Sequence, residues 1–211
     1  MNRQAIAMGV AGVLFGVLVG WIIGTQQTPP AVASTAPSTA SAQPASGQES
    51  AQAAATPLDE SRAAALASTA QRDPKDEATR VQLGNMYFDA ERYQEAADWY
   101  QQALAINPKD INVSTDLGIS YYYMNQPDRA LAQFDKSLRI NPKHAKTLLN
   151  VGIVRAFGKQ DLRGAADAWQ RALDAAPPGS DEAKAAQQAL DGVKAAHPDI
   201  NPASAGKGGS R

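Results

Sequence analysis

The chain of 211 residues contains no cysteine. That removes disulfides, cysteine-based zinc sites, thiol catalysis and a lipid-bearing N-terminal cysteine together. It also lacks a charge excess of either sign: 20 Lys and Arg stand against 21 Asp and Glu, a net charge of −1. Nucleic-acid binding shows as a basic surplus or a Lys/Arg stripe, and neither is present. The two histidines, His144 and His197, have no partner ligands at helical spacing, so both read as solvated surface residues and no metal site is expected. No phosphate-binding loop, dinucleotide fingerprint or nucleophile elbow occurs. The adjacent acids Asp59-Glu60 and Asp181-Glu182 fall in the first turns of expected helices, where negative charge suits the helix dipole. No constellation argues for catalysis, and the chain reads as a non-enzyme without cofactors.

What is there divides into unlike parts. Between Ala5 and Ile23 no side chain is charged, and at about 1.5 Å per residue this run spans roughly 28 Å, the hydrocarbon thickness of a bilayer. Residues 5–24 therefore read as a transmembrane signal-anchor helix. Arg3 precedes it and no basic residue follows until Arg62, which puts residues 1–4 in the cytoplasm and the rest on the far side of a bacterial inner membrane, in the periplasm or its equivalent. Trp21 near the outer end suits the interface. A cleaved signal peptide is the rival reading, because Ala31-Val32-Ala33 fits a signal-peptidase site; the length of the apolar run and the distance of that site beyond it favour the anchor. Gly12, Gly16, Gly20 and Gly24 form one smooth helical stripe, a face on which two membrane helices could form a homodimer; the plainer reading is that glycine is common in such helices. Residues 25–56 have no aromatic and a single acid, Glu49, and read as a disordered tether reaching about 30 Å.

The rest of the chain repeats itself. Asp73-Pro74-Lys75, Asn107-Pro108-Lys109 and Asn141-Pro142-Lys143 recur at intervals of 34 residues. Between them the helix positions match: Leu83-Gly84, Tyr87, Ala96, Tyr100 and Ala103, then Leu117-Gly118, Tyr121, Ala130, Phe134 and Ser137. A third copy has Val151-Gly152, Arg155 in the place of the tyrosine, a one-residue insertion expected in its mid-repeat turn, and then Ala165, Trp169, Ala172 and Pro177. Each glycine lets the second helix of its pair approach, the aromatic fills the seam, and the proline ends the second helix. This pattern resembles the tetratricopeptide-repeat (TPR) family over roughly residues 77–179, departing from it at Arg80, Ser114 and Leu148, where the family's first large residue stands, and at Arg155.

The resemblance implies an all-α TPR superhelix of three helix-turn-helix repeats, 77–110, 111–144 and 145–179, behind the membrane helix. Residues 57–72 read as a leading capping helix, 180–197 as a C-terminal capping helix opened by Ser180-Asp181, and 198–211 as a disordered tail. It also implies that the first helix of each repeat lines a concave groove for a peptide or partner protein. The groove candidates are Val81, Gln82, Asn85, Phe88 and Asp89; then Asn112, Thr115, Asp116, Ile119, Tyr122 and Tyr123; then Lys146, Leu149, Asn150, Ile153 and Phe157. Phe88 and Tyr122 have the alternative of packing against the next helix pair. The family's carboxylate clamp for acidic chaperone tails is matched at Asn85 and Lys146 but not at Val81, Asp116 or Asn150, and an acid at 116 would repel a ligand carboxylate. More narrowly, the layout and the phrase from Trp169-Gln170-Arg171-Ala172-Leu173 through Pro177-Pro178-Gly179-Ser180 resemble membrane-anchored TPR proteins of bacterial cytochrome c maturation. The alternatives are a cell-envelope assembly factor of pilus, secretion or division machinery, and an oligomerisation module driven by the glycine stripe.

Overall fold

Short polar residues cap the starts of five helices and Asx-Pro pairs stop three. Asp59, Asp76, Asp110, Asp161 and Ser180 each accept a hydrogen bond from a backbone amide two or three residues on, which satisfies an otherwise orphaned donor of the first turn. At the other ends, Asp73, Asn107 and Asn141 precede prolines and are held in extended conformations, as the proline ring demands of its predecessor. The result, in a computed structural model that describes residues 56–200, is eight α-helices with no strand among the described residues. They are α1 (Glu60–Arg72), α2 (Glu77–Asp89), α3 (Tyr93–Ile106), α4 (Ile111–Tyr123), α5 (Pro127–Ile140), α6 (Ala145–Ile153), α7 (Leu162–Ala175) and α8 (Asp181–Ala196). No helix among the described residues is long and apolar enough to cross a membrane. The expected membrane helix with its glycine stripe, the tether and the terminal tail lie outside the described residues, apart from short stretches where tether and tail adjoin the helices.

The helices pack in sequential pairs, α2 with α3, α4 with α5 and α6 with α7, with α1 against α2 and α8 against α7. The seam of each pair is a glycine under a ring. A Cβ built on Gly84, Gly118 or Gly152 would collide with the ring of Tyr100, Phe134 or Trp169 respectively, and all three rings are buried. Ala96, Ala130 and Ala165 are fully buried from the other side. The leading helix differs slightly from expectation. It begins at Glu60 after the Asp59 cap, so Pro57 lies ahead of its first turn, and Ala63 and Ala70 bury against Leu83.

Arg80 departs from an apolar core position without leaving a buried charge unsatisfied. Its guanidinium donates to the carbonyls of Ala70, Asp73 and Asp76 at 2.8, 3.1 and 2.6 Å, and so ties the end of α1 to the start of α2. The extra residue of the third repeat is not taken up in the turn. Glu91, Asn125 and Gln160 all adopt left-handed conformations (φ 58°, 58° and 56°), so the turn between paired helices is built the same way each time. The insertion instead widens the end of α6 into a π-turn, Val154–Gly158.

Candidate functional site

The first helix of each pair brings a row of side chains to one side of the stack. Asp116 of α4 and Lys146 of α6 meet there: Lys146 Nζ donates to Asp116 Oδ1 at 2.7 Å, with the side chains 21% and 15% exposed for Lys146 and Asp116. Burial pushes the Asp116 carboxyl above its ordinary range, against the pull of Lys146. One helix earlier, Tyr100 reaches through the seam and its hydroxyl donates to Asn85 Oδ1 at 2.8 Å. Burial raises the Tyr100 phenol well above its usual value, and the negative charges of Asp116 and Asp89 add to it. Asn85 therefore holds the phenol, and the charges of Asp89 and Asp116 act on it. Asp89 is half-buried, and that burial raises its carboxyl.

Beneath the ion pair runs a chain of hydroxyls. Thr115 Oγ donates to the Ile111 carbonyl at 2.7 Å and lies 2.7 Å from Thr147 Oγ, which lies 2.6 Å from His144 Nδ1. His144 is thus half-buried and bonded at the N-terminus of α6, a correction to its reading as a solvated turn residue. His197 is exposed beyond the end of α8, as expected. Burial, then the Lys146 charge, lowers the His144 imidazole, while Asp116 and Glu182 oppose the shift.

At one end of this face the aromatic candidates join a cluster. Tyr93 and Tyr123 stack with centroids 4.6 Å apart, and Phe88 meets both edge-on at 5.3 and 5.6 Å. Tyr122 tilts against Tyr123 at 6.0 Å. On its other side Tyr122 faces the third repeat, where a Cβ on Gly158 would stand 3.3 Å from its ring. Burial pushes the Tyr93 phenol up to about 12 and raises that of Tyr123 further, aided by Tyr93 itself. Tyr93, at the first residue of α3, was not singled out in the sequence. Its signal would have been an aromatic five residues after Phe88 across a tight turn, which has no counterpart in the other repeats.

The sequence candidates therefore separate by depth. Asn112 is exposed, and Val81, Gln82, Asn85, Phe88, Asp89, Asp116, Tyr122, Tyr123, Lys146 and Phe157 are partly exposed. Thr115, Ile119, Leu149, Asn150 and Ile153 are buried instead of facing a groove. Leu149 gives its carbonyl to Trp169 Nε1 at 3.1 Å, and Asn150 donates to the Lys146 carbonyl at 2.8 Å, so these residues hold α6 in place. Among the described residues no group of three or more His, Asp or Glu side chains is placed to hold a metal.

Two sequence-family models, both described as tetratricopeptide repeat, match residues 76–143 and 115–181. The chain belongs to the tetratricopeptide-repeat family. Among solved structures it is similar to a MamA protein at 23% identity and a TM-score of 0.51, over 55% of this chain and 63% of that one. It is also similar to the first TPR of Spaghetti (RPAP3) bound to the HSP90 peptide SRMEEVD, at 23% identity and a TM-score of 0.52, over 59% and 94% of the two chains. A third is the Sgt2 TPR domain from Aspergillus fumigatus, at 24% identity and a TM-score of 0.52, over 60% and 85%. The match spans less than two thirds of that MamA chain. No curated protein sequence matches the chain. These likenesses establish the fold; the chemistry of the groove is this chain's own.

Proposed function

We propose that the protein is a membrane-anchored binding scaffold that holds a peptide segment of a partner protein along α2, α4 and α6, with no catalytic role. The observation that carries this reading is the ion pair of Asp116 with Lys146 beside the free acid Asp89. The one clamp-like cation of the groove is neutralised within the chain, while Asp89 and the amide nitrogen of Asn85 have no side-chain partner among the described residues. Such a surface suits a segment that brings backbone donors and a basic side chain, and disfavours an acidic chain terminus. The rings of Phe88, Tyr122 and Tyr123 supply apolar area, and the two tyrosines add polar tips.

The anchor at residues 5–24, the periplasmic placement of the helices and a part in cytochrome c maturation are supported by the sequence features alone. A photo-reactive side chain in place of Asn112, in the full-length chain in its membrane, tests the groove. Capture of a partner from this position, reduced by Asp89→Asn and absent from a matched probe at Gln188 on α8, is the expected outcome. Capture of the same partners from both positions overturns the groove. A protease that reaches the C-terminal end from the cytoplasmic side of sealed membranes overturns the placement.

A further inference from the structure

Residues 80, 114 and 148 are equivalent positions in the three repeats, 34 residues apart, but they are filled unequally. Arg80 and Leu148 fill theirs with long side chains, 9% and 1% exposed. Ser114 cannot. Between α3 and α5, directly over it, lies an open cleft of about 830 Å³ whose floor is Ser114, Leu117 and Tyr121. Ser114 and Asp116 are two residues apart on α4, about 200° around the helix, so this cleft faces away from the groove.

The floor is satisfied internally. Ser114 Oγ accepts from Gln133 Nε2 and from Ser137 Oγ, both at 2.8 Å. The walls are partly apolar: Leu104, Ala105, Pro108 and Ile140 stand beside Gln101, and Ile140, 40% exposed, is the exposed large hydrophobic side chain among the described residues. The rim is basic. Lys109, Lys136 and Arg139 line the cleft, and no carboxylate does. None of the three has an acidic partner among the described residues, and the neighbouring Asp110 is engaged by the amides of Asn112 and Val113. In a chain of net charge −1, three unopposed cations around an aliphatic wall are a local arrangement.

We propose that this convex cleft is a second docking site, which takes an acidic segment of a partner protein with an aliphatic side chain inserted between α3 and α5. A bare anion would use the rim and leave the wall wet. A segment alternating Asp or Glu with Leu covers both, the carboxylates on Lys109, Lys136 and Arg139 and the leucine on Leu104 and Ile140. The polarity is opposite to that of the groove, so the two faces would select different segments.

The test is fluorescence anisotropy of a fluorescein-labelled decapeptide of Asp, Glu and Leu, titrated with the full-length chain. Lys136→Glu with Arg139→Glu is expected to weaken binding at least about tenfold, and added salt to weaken it further. Both positions are exposed, and the bond lost is that of Lys136 Nζ to Gln133 Oε1 at 3.2 Å, so the variant is expected to keep the circular dichroism and melting of the natural chain, which are measured beside it. Ser114→Leu, which fills the floor, is expected to weaken binding as well. Lys75→Glu with Lys194→Glu makes the same change in net charge elsewhere and is expected to leave binding intact. Equal loss in that control, or equal binding of a peptide with Lys in place of each acid, overturns the proposal. So does full displacement of the peptide by inorganic phosphate, which would make the cleft an anion site, or its displacement by phosphatidylglycerol vesicles but not by phosphatidylcholine vesicles, which would make it a lipid site.

Discussion

Thr115 Oγ and Thr147 Oγ lie 2.7 Å apart between α4 and α6, both fully buried, and the proton order along their chain of hydrogen bonds is determined. A carbonyl can only accept, so Thr115 must donate to Ile111. Thr147 must then donate to Thr115, and His144 Nδ1 must carry the proton it shares with Thr147. The neutral imidazole is therefore held as the Nδ1–H tautomer, with the lone pair on Nε2. Nitrogen-15 NMR of the histidines should show that tautomer. Thr147→Val should abolish it and cost about 1–3 kcal/mol, since it strands a donor and an acceptor. Adding Thr115→Val should cost less than the sum of the two single changes, because they share one network.

The same histidine should make stability depend on pH in a predictable direction. Its folded value is lowered, chiefly by burial, below the ordinary 6.5. The unfolded chain therefore binds the proton more readily, and the His144 contribution is fully present above about 6.5 and lost as pH falls through the lowered value. Chemical denaturation between pH 7 and pH 5 should show a midpoint that falls with pH in the natural chain and a smaller fall in His144→Gln. An equal fall in both would place the titration elsewhere.

Gly84, Gly118 and Gly152 should tolerate no side chain. An added Cβ meets the middle of a buried ring rather than a flexible end. Gly→Ala at any of them should cost about 1–3 kcal/mol by overpacking, despite alanine's better helix propensity. Gly152→Ala should lie at the upper end, because displacing Trp169 also breaks its bond to the Leu149 carbonyl. Thermal melts of the three variants measure this, and an unchanged midpoint would mean the rings can slide.

Much of this architecture is legible because the repeat forces it. A glycine 16 or 17 residues before an aromatic, seen three times, states which helices touch and where. Depth is a different matter. Helical spacing places Ile119, Leu149 and Ile153 near one side of the stack, but how far neighbouring helices close over that side depends on their packing. Those residues are accordingly buried, while Asn85 and Asp116 at similar spacing stay partly open. The aromatic cluster was half visible: Phe88 and Tyr123 stand out, but Tyr93 joins them from the start of a third helix. The insertion near Arg155 was visible and its location was not. Both the turn and the helix could absorb it, and the left-handed turn at Gln160 keeps the form it has at Glu91 and Asn125.

If the groove binds peptides as proposed, Asp116 sets which of them it refuses, and a single neutral substitution should reverse the choice. Lys146 is pinned to it at 2.7 Å and cannot serve a ligand carboxylate. Asp116→Asn keeps an oxygen acceptor for Lys146, removes a desolvated negative charge and leaves a cation available. Because the pair is partly exposed, stability should change by no more than about 1 kcal/mol. The raised carboxyl value means that the natural Asp116 contributes stability fully below the ordinary 3.8 and loses it as pH rises through the folded value, and the amide should flatten that part of the profile. In binding, a peptide ending in an acidic residue should gain at least about tenfold in affinity for the Asp116→Asn variant, or about 1.4 kcal/mol. Isothermal titration with one acidic-tailed peptide and its C-terminal amide separates the outcomes. A gain for the free carboxylate alone assigns the exclusion to Asp116, whereas no gain for either would mean that Val81 and Asn150, not charge repulsion, keep such tails out.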